Sequence, residues 1–262
     1  MLKHSLLHFC LSYLKKKEKP LLCVDTHAGA GLYDLAGTGA NREWEKGLGL
    51  LLQSREAPPV MIAAYVRLCG DRHSYPGSPL IMAKGLKKGD RLVCFELHPR
   101  EAESLKSSLA EIHGTGKPGI EVRREDGPAG LKSLLPPPSR RALVHIDPSW
   151  EEQSEYESIP RAIQSALKRF PEGTFIIWYP LLALPKEKTA APLPDTLFAL
   201  SDSKRCRAEL CTGTAESSPR GMYGSGLVVF NPPWTLRAAL EETLPYLAGV
   251  LGQGEWRLEW EG

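Results

Sequence analysis

Short buried strands alternate with helices along most of this chain, and this alternation constrains the fold more than any other feature. Apolar runs rich in aliphatic and β-branched residues predict strands over residues 21–25, 91–97, 120–124, 142–146 and 174–179. Helical patterns such as "PREAESLKSSLAEIHG" and "YESIPRAIQSALKRFP" separate the later runs. Strands of this kind are typical of a parallel sheet with helices on both faces. The sequence therefore predicts an α/β fold with a mostly parallel sheet.

Two segments depart from this alternation. The strands predicted in "RCRAELCTG" and "SGLVVFNPP" are joined by a loop too short for a helical crossover, so we expect a terminal antiparallel pair. Between Gly31 and the second strand there are about 60 residues, more than a simple crossover needs. We interpret residues 38–75 as an inserted small helical subdomain of two helices broken at Pro58-Pro59, within a single domain over residues 1–262.

Charge, hydropathy and cysteine usage exclude several classes of protein. The formal charge is only +2 over 262 residues, so any nucleic-acid-binding surface must be local. No run approaches the 18 apolar residues of a membrane span, and the amphipathic N-terminal helix leads into lysines instead of a cleavage site. The six cysteines are scattered without a C-x-x-C pair, which predicts neither a disulfide framework nor a metal site. We expect a cytoplasmic protein that is not bound to a membrane.

Acidic residues follow two of the predicted strands, and a glycine-rich turn follows the first. The turn, "DTHAGAG", contains Gly29 and Gly31, which let the backbone approach a ligand closely, although a purely structural turn explains them equally well. Glu96 ends the second strand, where a carboxylate accepts ribose hydroxyls, and Asp126-Gly127 follow the third. Each acidic residue alone is also compatible with a helix cap. Together, and without a full G-x-G-x-x-G, they favour S-adenosylmethionine over NAD.

The fourth strand ends in Asp147-Pro148-Ser149-Trp150 at the same predicted edge of the sheet. A base amino group is a poor nucleophile because its lone pair is delocalised into the ring. The Asp147 carboxylate and the Pro148 carbonyl are suited to accept its N–H groups and to aim the lone pair at a methyl donor. Trp150 offers a ring for stacking on an extruded base. An ordinary strand-terminating Asp-Pro turn is the alternative.

A second tetrapeptide, Asn231-Pro232-Pro233-Trp234, matches the sequence pattern of amino-group methyltransferases better than Asp147-Pro148-Ser149-Trp150. It follows the last strand of the predicted antiparallel pair, so we expect it at the opposite edge of the sheet from the glycine turn. There it is out of reach of a methyl donor. We interpret it as the end of a strand and the start of the helix in "TLRAALEETLPYL".

Nine short motifs resemble, in order along the chain, the RlmJ family of S-adenosylmethionine-dependent methyltransferases: "LKH", "DTHAGAG", "YPGSPL", "ELHP", "DG", "IDP", "WYP", "RGM" and "NPPW". The resemblance covers almost the whole chain. It implies a Rossmann-like class I methyltransferase fold and transfer of a methyl group to N6 of an adenine in 23S ribosomal RNA. It places cofactor contacts on six residues and the catalytic aspartate on Asp147; those six are His4, His27, Ser78, Glu96, Asp126 and Gly127.

Two departures from the family pattern leave other functions open. The family has Asp-Pro-Pro-Tyr where this chain has Asp147-Pro148-Ser149-Trp150, and relatives carry a further segment before "LKH". One alternative is a DNA adenine-N6 methyltransferase; another is a nucleic-acid-binding protein that has lost catalysis. For the leading hypothesis we expect large-subunit ribosomal RNA as the partner and a monomeric enzyme.

Overall fold

The computed structural model describes residues 1–34, 47–70, 74–110, 112, 118–183, 192–213, 221–251 and 254–262. Its strands are β1 (Leu22–Asp25), β2 (Leu32–Asp34), β3 (Ser74–Pro76), β4 (Arg91–Phe95), β5 (Gly119–Arg123), β6 (Ala142–Ile146), β7 (Thr174–Leu182), β8 (Arg205–Cys211), β9 (Met222–Phe230) and β10 (Trp256–Glu261). Its helices are α1 (Leu2–Leu14), α2 (Leu48–Gln53), α3 (Val60–Cys69), α4 (Ser78–Gly85), α5 (Pro99–Ala110), α6 (Gly127–Leu134), α7 (Glu155–Arg169), α8 (Leu193–Phe198) and α9 (Leu236–Val250).

Eight strands form the main sheet in the order β10-β8-β9-β7-β6-β1-β4-β5. The neighbours from β7 to β5 are parallel, whereas β9 is antiparallel to both β7 and β8. This arrangement confirms the predicted Rossmann-like fold with an antiparallel pair near its end. The order of the parallel strands reverses between β1 and β6, and in such sheets ligands bind beyond the carboxyl ends of the strands at this reversal.

Helices cover both faces of the sheet. The apolar residues of β1 alternate between two buried clusters: Leu22 and Val24 belong to one, and Cys23 to the other. The cluster around Cys23 includes residues of α1 to α5 and α9, and the opposite cluster includes residues of α6, α7 and α8. Each fully buried aliphatic side chain contributes about 1.5–3 kcal/mol by leaving water. Both faces of β1 are therefore held in place, and with them the turn that follows it.

The two predicted helices of the insertion are present as α2 and α3, and Pro59 immediately precedes α3. Met61, Ile62 and Tyr65 of α3 are buried in the same cluster as α1. Residues 38–46 and 71–73 of the predicted insertion lie outside the described residues. The division into a separate subdomain stays a prediction. Among the helices described, none has the length and apolarity needed to cross a membrane.

Candidate active site

A cavity of about 310 Å³ lies beyond the carboxyl ends of β1, β4 and β5. Several predicted cofactor-binding residues line it: His27, Glu96, Asp126 and Gly127. The Glu96 carboxylate accepts one hydrogen bond from the Gly29 N–H (2.8 Å) and another from the His98 N–H (2.7 Å). A carboxylate has about four acceptor positions, so Glu96 keeps capacity for two ligand hydroxyls.

The backbone around this cavity is closely packed. Gly29 and Gly31 have φ values of 61° and 83°, a conformation that glycine adopts without strain. At Gly127 a Cβ would lie 2.1 Å from the Thr26 carbonyl oxygen, so α6 approaches the end of β1 as closely as only glycine allows. Asp126 caps α6, because its side chain accepts a hydrogen bond from the Ala129 N–H at 2.7 Å. Its cap role and its position at the cavity are therefore compatible.

A second cavity of about 510 Å³ adjoins the first, since His27 lines both. Of the predicted site residues, His4, Ser78 and Asp147 line this second cavity together with His27. Three uncharged aromatic side chains also line this cavity: Tyr33, Tyr75 and Trp178. His27 thus lies between the first cavity, which is lined by Glu96 and Asp126, and the second cavity, which contains the predicted catalytic residue Asp147.

Asp147 lies directly after β6 and forms an ion pair with Lys3 of α1. Lys3 Nζ is 2.5 Å from Asp147 Oδ2, and both side chains are mostly buried. The same ammonium lies 5.3 Å from the centre of the Trp178 ring. Lys3 therefore pairs with Asp147 and orients its carboxylate within the second cavity.

Pro148 is buried, Ser149 is exposed, and Trp150 is almost fully buried at 3% exposure. Trp150 Nε1 donates a hydrogen bond to the Trp178 carbonyl oxygen at 3.0 Å, and its ring belongs to the apolar cluster on the α6–α7 face. This burial corrects the expectation that the Trp150 ring is free to stack on a base. Trp178, half-buried in the second cavity, is the ring that faces Asp147 from β7.

His4 and Ser78 are both buried near the end of β1. His4 Nδ1 is 2.5 Å from the Tyr75 hydroxyl, which in turn accepts a hydrogen bond from the Tyr65 hydroxyl at 2.8 Å. Burial, followed by the nearby Lys3 charge, holds the pKa of His4 well below its usual value. The pKa of His27 is also lowered, chiefly by burial, although Asp25 and Asp147 oppose the change. Both imidazoles are therefore neutral at pH 7.

The Asn231 tetrapeptide lies at the opposite edge of the sheet, as predicted. Asn231 Nδ2 donates hydrogen bonds to the carbonyl oxygens of Pro171 and Gly173, which precede β7. Phe230, the last residue of β9, pairs with Phe175 near the start of β7. Asn231 thus joins the amino end of β7, whereas Asp147 follows the carboxyl end of β6. Its side chain is occupied in closing that edge of the sheet.

Several residues of the second cavity could not be selected from the sequence. Lys3 contacts Asp147 across 144 positions, and a lysine at the start of a helix carries no local signal of that contact. Trp178 belongs to the "WYP" of the family resemblance, but its apolar run predicts a buried strand and assigns no role to its ring. Periodicity does not reveal either contact, because both depend on which strands become neighbours.

Comparison with known proteins identifies the family. The family described as "Ribosomal RNA large subunit methyltransferase D, RlmJ" matches residues 18–262. A Haemophilus influenzae protein named "Ribosomal RNA large subunit methyltransferase J" is 36% identical, with 99% of this chain and 93% of that protein covered. An Escherichia coli protein of the same name is 34% identical with the same coverage. A crystal structure of a Legionella pneumophila protein has a TM-score of 0.89 at 32% identity, covering 100% of this chain and 96% of that one. The chain belongs to the RlmJ family of ribosomal RNA large subunit methyltransferases.

Proposed function

We propose that this protein transfers a methyl group from S-adenosylmethionine to N6 of an adenine in large-subunit ribosomal RNA. One observation carries the proposal: Asp147 lies in a cavity that shares His27 with the cavity bounded by Glu96 and Asp126. A donor bound in the first cavity and a base bound in the second would meet beside His27. Family membership supports the same reaction, because the named relatives are ribosomal RNA methyltransferases.

The residues of the first cavity fit the adenosyl part of S-adenosylmethionine. Glu96 retains acceptor positions for the two ribose hydroxyls, and Asp126 retains one carboxylate oxygen beyond its cap bond for an adenine amino group. Gly127 also lines this cavity, at the start of α6. The two cavities together have the size of a small-molecule site. When bound, the cofactor supplies an electrophilic methyl group.

The residues of the second cavity fit an adenine amino group. The Asp147 carboxylate and the Pro148 carbonyl accept its two N–H groups, which localises the lone pair on nitrogen and directs it toward the first cavity. After transfer the nitrogen must lose a proton, and Asp147, which accepts an N–H of the amino group in this arrangement, is the acceptor we assign. Trp178 supplies the ring against which the base stacks, which is worth about 1–3 kcal/mol and offsets the cost of extruding it.

Lys3 orients the carboxylate of this site. Its ammonium pairs with Asp147, and an ionised carboxylate accepts N–H groups at both of its oxygens. Lys3 uses Oδ2, so the Oδ1 oxygen is the one we assign to the substrate. Because Lys3 contacts Asp147, we assign it a positioning role toward that carboxylate. Lys3→Met keeps the length of the side chain without its charge and is the variant that tests this role.

The test compares Asp147→Ala with Asn231→Gly, two changes to the competing tetrapeptides at opposite edges of the sheet. Methylation of protein-free 23S ribosomal RNA is measured with tritiated S-adenosylmethionine, and cofactor binding is measured by calorimetry. We expect Asp147→Ala to lose methyl transfer and to keep cofactor binding, whereas Asn231→Gly keeps both once folding is verified by thermal melting. Transfer by Asp147→Ala at the wild-type rate would refute the assignment.

The choice of RNA over DNA is tested with the same assay. Methyl incorporation into naked duplex DNA in preference to ribosomal RNA would support the DNA adenine alternative. Absence of incorporation into either, with nucleic-acid binding retained, would support a protein that has lost catalysis. With ribosomal RNA as substrate, we propose a cytoplasmic location and a monomeric enzyme; size-exclusion chromatography with light scattering checks the second point.

A further inference from the structure

A groove lies between α1, α3 and the residue before α9. It opens into a cavity of about 180 Å³ whose lining includes His8, Ser12 and Lys16, spaced four residues apart on one face of the N-terminal segment. Lys3 stands at the start of the same helix, beside Asp147. At 1.5 Å per residue, α1 runs about 17 Å from Lys3 to its end at Leu14, two residues before Lys16. One helix thus carries residues of both the second cavity and the groove.

The walls of this groove carry no negative charge. Neither α1 nor α3 contains an aspartate or a glutamate, and lysines follow α1 directly. Lys15 is paired with Asp90, but Lys16 and Lys17 are exposed and have no ion-pair partner among the residues that the structure describes. Arg67 of α3 lies near His8; burial and then this charge lower the pKa of His8. The groove is therefore mainly apolar, with Lys16 in its lining and further cations beside it, on a chain with little net charge.

Aromatic rings stand beside these cations. Lys16 Nζ lies 5.4 Å from the centre of the Tyr13 ring, which also lines the groove. Trp234 precedes Thr235, another lining residue, and is 78% exposed. Val60, at the start of α3, is 75% exposed. An exposed tryptophan leaves a large apolar surface in water, which is unfavourable unless a ligand or partner covers it.

We propose that this groove binds single-stranded RNA that flanks the target adenine, with Trp234 and Tyr13 stacking on bases and Lys16 and Lys17 contacting phosphates. Cations interleaved with exposed aromatic rings are the combination that binds single strands, because phosphates attract the former and every base has a face for the latter. An exposed tryptophan also suits a protein interface, so the preference for RNA rests on the combination of Trp234 with Tyr13 and the neighbouring lysines. This inference rests on the proposed function for the identity of the ligand as RNA. It gives the Asn231 tetrapeptide, excluded from catalysis, a role in substrate binding through its last residue.

The test measures binding of a fluorescein-labelled, single-stranded polyuridine RNA with one central adenosine to the full chain by fluorescence anisotropy. Trp234→Ala should raise the Kd by about 5- to 150-fold, the range that corresponds to one lost stacking interaction. Lys16→Ala should reduce the steepness of the salt dependence of log Kd by about 0.7, the value for one phosphate contact on a single strand. The Kd for S-adenosylmethionine should not change in either variant.

Matched controls use the same residue types elsewhere. Trp256→Ala removes an exposed tryptophan from β10, and Lys132→Ala removes an exposed lysine from α6; both should bind the RNA like the wild type. Trp234 is exposed, so Trp234→Ala should melt like the wild type. An RNA Kd within twofold of wild type for Trp234→Ala, together with an unchanged salt dependence for Lys16→Ala, would overturn the proposal and would leave a protein partner as the occupant.

These measurements distinguish a failure of the proposed RNA-binding groove from a failure of the proposed methyltransferase function. If the wild type binds the RNA through Trp234 but methylates no nucleic acid, the proposed groove is supported and the proposed function is refuted. If the wild type methylates ribosomal RNA and Trp234→Ala has the same Kd and KM for RNA, the proposed function is supported and the proposed groove is refuted. If both are correct, Trp234→Ala raises KM for RNA and leaves kcat within twofold of wild type.

Discussion

His145 Nδ1 lies 3.5 Å from Asp25 Oδ1 where β6 and β1 pair side by side, and both side chains are fully buried. Asp25 precedes the glycine turn of the cofactor cavity, and His145 lies two residues before Asp147. The pair therefore joins the two strand ends that carry the candidate site. Burial by itself raises the pKa of Asp25, but the neighbouring His145 and contacts from Ser78 and the His27 N–H outweigh it and lower that pKa.

We expect the Asp25–His145 pair to be strongly coupled in its contribution to stability. His145→Leu removes the imidazole beside this buried carboxylate and should lower the free energy of unfolding by about 1–3 kcal/mol. Adding Asp25→Asn removes that stranded charge, so the double variant should be less destabilised than the sum of the single variants. Urea unfolding of the four proteins gives the coupling energy; a value below about 0.5 kcal/mol would show that the two side chains act independently.

Replacement of Gly127 by alanine should weaken cofactor binding. A Cβ at Gly127 would meet the Thr26 carbonyl oxygen at 2.1 Å, so Gly127→Ala must displace α6 from the end of β1. We expect the Kd for S-adenosylmethionine to rise at least tenfold, measured by calorimetry. Gly249→Ala in α9 is the control: its Cβ meets nothing within 4 Å, and alanine should add about 0.5–1 kcal/mol of stability there. Unchanged cofactor binding by Gly127→Ala would contradict the placement of the cofactor.

The buried histidines predict how stability depends on pH. The pKa values of His4 and His27 are lowered in the folded state, so the unfolded chain binds more protons between those values and about 6.5. Stability should therefore be complete above about pH 6.5 and fall on acidification, by at most about 1.4 kcal/mol per pH unit for each histidine. His4→Gln should make this pH dependence less steep in urea unfolding at pH 7 and pH 5. An equal slope for this variant and wild type would show that His4 is not buried in the neutral form.

Local patterns were sufficient for the parallel strands and for their acidic ends. β6 has the predicted bounds, because five consecutive buried residues between polar turns admit few alternatives. β7 extends to Leu182, three residues beyond the prediction, because it continues to pair with β9 past Tyr179. The prediction missed β10, which pairs along β8 at the edge of the sheet and alternates charged with apolar residues. An edge strand is defined by its neighbour more than by its own composition.

The sequence by itself determined the class of fold, the positions of Glu96, Asp126 and Asp147 at strand ends, and the family. Only the tertiary structure decided which side chains face the cavity: Trp150, next to Asp147 in sequence, is buried, and Trp178 of the neighbouring strand lies in the pocket. It also placed Lys3 on Asp147 and Asn231 at the far edge of the sheet. The physical reason is that strand direction and side-chain burial depend on pairing between segments far apart in the chain. Local composition does not encode that pairing.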